Sequence, residues 1–588
     1  MAMWLPDAAL LNGSPEQNQS ILIAQFWHEL LSPSSPDTFR ARALDLPLLM
    51  RELLHIGEYA QQEPKWISHI HLICEEIESH IALNSSVLCD SPVSDTALLS
   101  ISRFRGGVGD LPRLLEQARI FLDLSENHVT RLLREAEKFA PDSGNKKLLH
   151  SAMSGLATNV QARGAGFESI KRVENSLCSR PPLDVIHSLC GDAGGKDVDY
   201  TCFIAIAAPR AIASSLFSDD TFKECGVGRF SIDPVAHEWY AARPEGIVVE
   251  ISGNAPSVQK SAELALIQVF HLIHLHTLYA NNSNVYACPG VLVFDGAKFA
   301  VAEVTPSRHF GLEPRRGSVA LARVRYGKLR DRLSGRLGNL LESHALAVSA
   351  NDARSAVFHL WTALETLASS HGSEGIGQRV ANAVAPIVAW RRIDKIVTYL
   401  AISVHGLRVH SGTKFDLSHM PRSTEKHIER GDLLACLAGR ENNPGILSIF
   451  ESCKSSPLLM YRIFRAWQEL SNPKELRKAL ELSHSRIKWQ MMRFYRTRNL
   501  LVHYGELDDL ALRLLENAQY YLSTCVGRVL HDLYMHENWS INASLEFHRL
   551  RFDSLLNKMR NSRPGIRVGE ILLHTKSPDS DRLVWDGD

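Results

Sequence analysis

Between residues 20 and 180 apolar positions recur three and four apart, as in Leu111, Leu114, Leu115, Ala118 and Leu122, then Val129, Leu132 and Leu133. That is the period of a helix with one face buried, so this stretch reads as mainly helical. Near Asp197 the pattern changes. Residues 200–207 and 246–252 are short apolar runs flanked by turn residues, which predicts buried strands. Residues 291–294 and 298–304, separated by Asp295-Gly296, predict a hairpin, because Asp-Gly can adopt the positive φ angles of a tight turn. After Pro314 long amphipathic segments take over, at 318–349, 352–369, 377–404, 458–470, 474–505 and 507–535. The interruptions at 369–377 and 405–422, rich in Gly, Ser and His, read as loops. A short apolar segment at 567–573 reads as a strand before a polar tail, and no internal repeat is evident.

A chain of 588 residues exceeds what one hydrophobic core organises, and three domains are expected. The expected fold is multidomain α+β. A mainly helical region covers 1–190, a small α+β middle domain with a sensing or regulatory role covers 191–315, and an all-α bundle covers 316–540. A tail over 541–588 holds at most a short strand.

The 45% hydrophobic and 22% charged shares are those of a packed protein. Sixty-five basic residues balance 65 acidic ones, so any contact with nucleic acid must come from local patches. The start lacks a basic segment leading into an apolar stretch, and no apolar run reaches the ~18 residues that span a bilayer. A soluble, cytoplasmic protein with no membrane partner is expected. The 10 cysteines form no C-x-x-C pair and read as reduced thiols. His271, His274 and His276 lie in an apolar helical run without a carboxylate partner, so core packing is preferred to metal binding. The glycines at 106–109 and at 375 and 377 lack the closing Gly-Lys-Ser/Thr of a phosphate loop. No metal and no cofactor are expected.

The stretch richest in chemistry is Phe494-Tyr-Arg-Thr-Arg-Asn-Leu-Leu-Val-His-Tyr-Gly505. Arginine five residues before histidine, with four between, is weak by spacing alone, since Arg354 with His359 and Arg422 with His427 repeat it. Here Asn499 follows Arg498, and Gly505 stands where it can cap the helix just beyond His503. At about 100° per residue Arg496, Asn499 and His503 share one face, whereas Arg498 lies to the side unless the helix is distorted. Either arginine could serve. A guanidinium that grips phosphate and an imidazole that moves a proton are what RNA strand cleavage needs. Arg486, Lys488 and Arg493 extend the basic run and are candidate RNA contacts, as is the run from Arg315 to Arg336. Glu365, alone on an apolar helical face, is a candidate to orient Arg498 or His503.

These residues resemble the HEPN superfamily, whose motif R-N-x-x-x-H is matched by Arg498, Asn499 and His503. The likeness is to the ApeA-like HEPN domains of bacterial antiphage defence. It extends to Ala356-Val-Phe-His-Leu-Trp-Thr-Ala-Leu-Glu-Thr-Leu367, followed by Ile376-Gly-Gln-Arg-Val-Ala-Asn-Ala383, and covers residues 318–537. The resemblance implies an endoribonuclease of abortive infection that needs no metal and leaves a cyclic phosphate and a 5′-hydroxyl. Its RNA target, whether tRNA, mRNA or rRNA, is left open. It also implies a homodimer or higher oligomer that pairs two motifs. Because an uncontrolled ribonuclease would harm its own cell, the first 315 residues are expected to sense a trigger, a phage-derived one being a candidate partner, or to restrain the activity. The alternative is a non-catalytic HEPN module serving as an RNA-binding or assembly scaffold. Tyr504 directly follows His503, with Gly505 where some HEPN toxins carry a modifiable tyrosine, so that form of control is not expected.

Overall fold

The computed structural model of the 588-residue chain describes residues 5, 14–31, 45–84, 92–124, 128–140, 145–162, 175–191, 198–217, 221–226, 230, 233–243, 246–255, 257–280, 285–288, 290–302, 328–333, 335–350, 352–369, 374–412, 418–424, 428–439, 443–507 and 509–561. The described part is mostly helical, with one small antiparallel sheet, and forms two compact units. One comprises residues 1–158, 174–186 and 310–588, the other 159–173 and 187–309. The helices expected to form a separate N-terminal region thus share a unit with those of the C-terminal bundle.

That helical unit opens with α1 (Pro15–Leu31), α2 (Leu46–Gln62), α3 (Ile67–Asn84), α4 (Pro92–Ser102) and α5 (Leu111–Leu124). The side chain of Asp45 caps α2 by accepting from the Leu48 amide, and Pro47 presets its first turn. Leu49, Leu53 and Ile56 of α2 join Ile70, Ile73 and Ile77 of α3 and Leu111, Leu114 and Leu115 of α5 in one core. Glu52 and Glu76 are buried in this helical array, and a carboxylate in such surroundings needs cations. Next come α6 (His128–Phe139), α7 (Lys146–Ala162) and α8 (Pro182–Gly191).

The second unit is built on a sheet of β1 (Val198–Ala207), β2 (Lys223–Glu224), β3 (Ile247–Ala255), β4 (Tyr286–Ala287), β5 (Val291–Phe294) and β6 (Phe299–Ala302). Its order is β2-β3-β1-β5-β6, with β4 also pairing β1. The expected strands at 200–207 and 246–252 are β1 and β3, and Ile204 opposes Val249. Cys202, Ile204 and Ile206 face one core, whereas Phe203, Ala205 and Ala207 face another. Burial on both faces explains the unbroken apolar run. The helices are α9 (Arg210–Leu216), α10 (Pro234–Ala241) and α11 (Val258–Ala280), which carries His271, His274 and His276. The hairpin joins β5 to β6 through Gly296 at φ +90°.

The helical unit resumes with α12 (Arg336–Ser349), α13 (Ala353–Ala368), α14 (Ile376–Ser411), α15 (Arg430–Leu437), α16 (Pro444–Cys453), α17 (Pro457–Ser471), α18 (Pro473–Tyr504), α19 (Asp509–Met535) and α20 (Ile541–Arg560). Two expectations are corrected. The loop expected over 405–422 begins as helix, because α14 runs on to Ser411, where Gly412 at φ +66° ends it. Residues 541–560, read as part of a tail, form α20, capped by Ser540 and burying Ile541, Leu545, Phe552, Leu555 and Met559. Those positions recur at helical spacing, a signal present in the sequence and overlooked. The strand expected at 567–573 lies outside the described residues.

Candidate active site

The α18 helix starts at Asn472, whose side chain accepts from the Lys474 amide, and runs unbroken to Tyr504. Gly505 at φ +71° closes it, its amide and that of Glu506 returning to the carbonyls of Leu501 and Leu500 at 3.1 and 3.4 Å. The helix shows no distortion near its end, so Arg498 and His503 stand about 140° apart around the axis. Arg496, Asn499 and His503 share one side.

The inward face is an electrostatic core. Arg493 and Arg496 are only 1% and 3% exposed. Arg493 donates from Nε to both Glu52 oxygens at 2.9 and 3.0 Å, and from Nη2 to Glu76 at 2.5 Å. Arg496 donates to Glu52 as well. Burial alone would raise the Glu52 pKa, but Arg493 and Arg496 outweigh it and hold it at about 2. Glu76 is pushed up by burial, which Arg493 offsets only in part. Arg496 is pushed down by burial against the pull of Glu52. Leu500 completes this face by joining the core of α2, α3 and α5.

The candidate RNA contact Arg493 is therefore corrected to a buried structural cation, since it is closed off from solvent and its guanidinium is committed to Glu52 and Glu76. Arg496, a candidate supporting residue, shares the side of His503, but Glu52 occupies its guanidinium. Arg486 and Lys488 are half-buried. Burial lowers the pKa of His80 and His484 to about 4, with Arg486 adding to the first and Lys488 to the second.

The end of the helix differs. Arg498 is half-buried, donates to Asn499 Oδ1 at 3.2 Å, and pairs with no carboxylate among the described residues. His503 is exposed. Two tyrosine–carboxylate pairs flank it: Tyr504 donates to Glu63, and Tyr59 donates to Glu506. The two tyrosine rings lie 5.0 Å apart. Burial and the Glu506 carboxylate push Tyr59 up to about 12. The Glu63 carboxyl is lowered by Lys65 first and Tyr504 second, with a contribution from His503.

Glu365 does not orient Arg498 or His503. Its carboxylate accepts from the Trp361 indole one turn earlier on α13, at 2.6 Å. The Trp361 ring packs at 5.2 Å on Tyr495 of α18, and Gly377 of α14 lies so close to Tyr495 that a Cβ there would sit 2.6 Å from the ring. Residues 356–367, 376–383 and 494–505 thus meet at Tyr495. In the basic run from 315 to 336, Arg315, Arg316, Arg323 and Arg325 lie outside the described residues. Arg336 grips the final carbonyls of α13, Thr366 and Leu367, at 2.7 and 2.6 Å, and Arg332 donates to the Leu533 carbonyl at 3.0 Å. These two cations are internal ties.

Sequence reasoning missed Glu52, Glu76, Glu63 and Tyr59. Glu52 carried a signal: it interrupts the apolar face Leu49, Leu53, Ile56, as Glu365 does on its own helix. Among the described residues no helix is long and apolar enough to cross a membrane. No protein-family model matches the sequence, and no curated protein or solved structure matches it either.

Proposed function

We propose that the protein is a metal-independent endoribonuclease of the HEPN type, acting in antiphage defence and cutting RNA at the end of α18. The observation that carries this reading is the division of the arginines. Arg493 and Arg496 are spent on buried carboxylates, whereas Arg498 stays free of them beside Asn499, with His503 exposed at the capped helix end.

In the reaction the ribose 2′-oxygen bonds to the adjacent phosphorus while the bond from phosphorus to the 5′-oxygen breaks. One imidazole takes the 2′-hydroxyl proton, and another returns a proton to the departing 5′-oxygen. Arg498 holds the non-bridging oxygens through charged hydrogen bonds. Because Arg498 and His503 diverge on a regular helix, a single chain does not surround a phosphate. Two copies related by a two-fold axis would supply both histidines and both arginines, so the active unit is at least a dimer.

Restraint would come from the N-terminal helices, through Glu52 and Glu76 beneath the motif and Glu63 and Tyr59 beside it. The divergence of Arg498 and His503 also favours a second reading, in which the domain binds RNA without cutting it. Purified full-length protein incubated with labelled RNA in excess EDTA separates them. The nuclease reading expects products with 5′-hydroxyl and cyclic phosphate ends. Bound but intact RNA would leave the scaffold, and cleavage lost in EDTA and restored by Mg²⁺ would mean a different chemistry.

A further inference from the structure

A cavity of about 470 Å³ opens in the helical unit, lined by residues that the α18 site does not use. Lys146 and Lys147 come from the first turn of α7, Phe450 from α16, and Tyr461, Phe464 and Arg465 from α17. The volume falls among those of cavities that hold small organic ligands, roughly 300–1,000 Å³.

Its lining combines two features. Among the described residues no aspartate or glutamate lines it, and none of its three cations pairs with a carboxylate. Among the described residues Arg465 donates to Gln468, one turn on, at 3.3 Å. Lys146 is half-buried, and burial lowers its pKa. Beside Tyr461, the Glu29 carboxylate is engaged by Arg462 at 3.0 Å, and Arg462 also meets His150 at 3.1 Å. The second feature is aromatic. Tyr461 is held edge-on by Phe26 with centroids 5.4 Å apart, which makes it a fixed wall, and Phe464 is 42% exposed. Rings beside unpaired cations offer a stacking surface and a polyanion clamp together.

We propose that this cavity binds a nucleoside polyphosphate, with the base against the aromatic wall and the phosphates on Lys146, Lys147 and Arg465. Three cations suit a chain of phosphates better than a single one. Side chains hold them, in place of the glycine-rich backbone cradle that the sequence lacks. The proposal stands independently of the nuclease reading.

Calorimetric titration of the full-length protein with ATP and GTP tests it, with adenosine and inorganic tripolyphosphate as probes of each half. Thermal midpoints of Arg465→Ala, Lys147→Ala and Phe464→Ala, all at partly or fully exposed positions, check that these variants fold. ATP or GTP should bind, each half alone should bind at least tenfold more weakly, and affinity should fall as salt rises. Phe464→Ala should cost about tenfold, as loss of one stacking partner does. No heat with either nucleotide at millimolar concentration would overturn the proposal. So would tripolyphosphate binding as tightly as ATP, which makes the site one for simple anions. A single-stranded oligoribonucleotide that binds more tightly than ATP and is weakened by the same variants would replace the free nucleotide with an RNA strand.

Discussion

Arg493 and Arg496 in the body of α18 are walled in by Glu52 and Glu76 from helices more than 400 residues earlier in the chain. Arg498, which turns away from them, and His503, exposed in the closing turn on the side of Arg496, meet no carboxylate by hydrogen bond among the described residues. The same residue type, repeated within six positions, thus holds the fold together in one place and in the other, under the proposed function, is left for chemistry. What separates them is angle. Positions 493, 496 and 500 turn toward the N-terminal helices, and 498 turns away. A count of basic residues along the helix cannot tell a phosphate contact from a buried tie, and the covering helix decides.

The largest effect on the inward side should follow loss of Glu52. Glu52→Ala leaves two buried guanidiniums without their shared partner and should cost about 3–5 kcal/mol in denaturant unfolding. Glu76→Gln should cost clearly less, since burial already disfavours that charge. Equal losses would show that the two carboxylates do not differ as described.

Acid should reveal the same asymmetry. The Glu52 carboxyl is depressed to about 2, so the stability it contributes is fully present above its unfolded value near 4.5. It is lost as pH falls from there to about 2, on the order of 3 kcal/mol. Glu76 is raised, so it works the other way: the stability it costs at neutral pH is regained as pH drops through its elevated pKa. Urea unfolding of wild type and Glu52→Gln between pH 7 and pH 3 should give curves that converge toward the acid end. Parallel curves would contradict the assignment of the depressed group.

Gly377→Ala comes next. Its new methyl would press on the Tyr495 ring, and overpacking of this kind costs about 1–3 kcal/mol. A neutral substitution would mean that α14 and α18 yield more easily than their packing suggests. The smallest structural effect should come from removing both clasp hydroxyls, Tyr59→Phe with Tyr504→Phe. Thermal unfolding should hardly change, while basal RNA cleavage should rise a few-fold if the clasp restrains His503. Unchanged cleavage would show that it does not.

Much of the architecture was legible because period speaks locally. The buried strands β1 and β3, the hairpin at Gly296, α13, α17 and α18 with its Gly505 cap all followed from apolar runs, spacing and turn chemistry. Those signals need only neighbours within a few residues. The end of α14 and the whole of α20 were readable but overlooked, the first masked by a His- and Gly-containing stretch, the second by its position after a reading that had closed the bundle at 540. Pairings could not be read at all. Nothing near Arg493 in sequence says that Glu52 and Glu76 neutralise it, and nothing near Glu365 says that Trp361 takes its carboxylate, although that indole is only four residues away. Which partner a charge finds depends on how distant helices stack.

Cleavage of one labelled RNA by purified wild type, Arg498→Ala, His503→Ala and Arg493→Met, each checked for folding by circular dichroism, addresses the central claim most directly. If the outward residues carry the chemistry, Arg498→Ala and His503→Ala should fold normally and lose about 10²–10⁴ in rate. Arg493→Met should lose stability, and whatever fraction stays folded should still cut. Undiminished cleavage by folded Arg498→Ala and His503→Ala would contradict the account and move the site elsewhere in the chain.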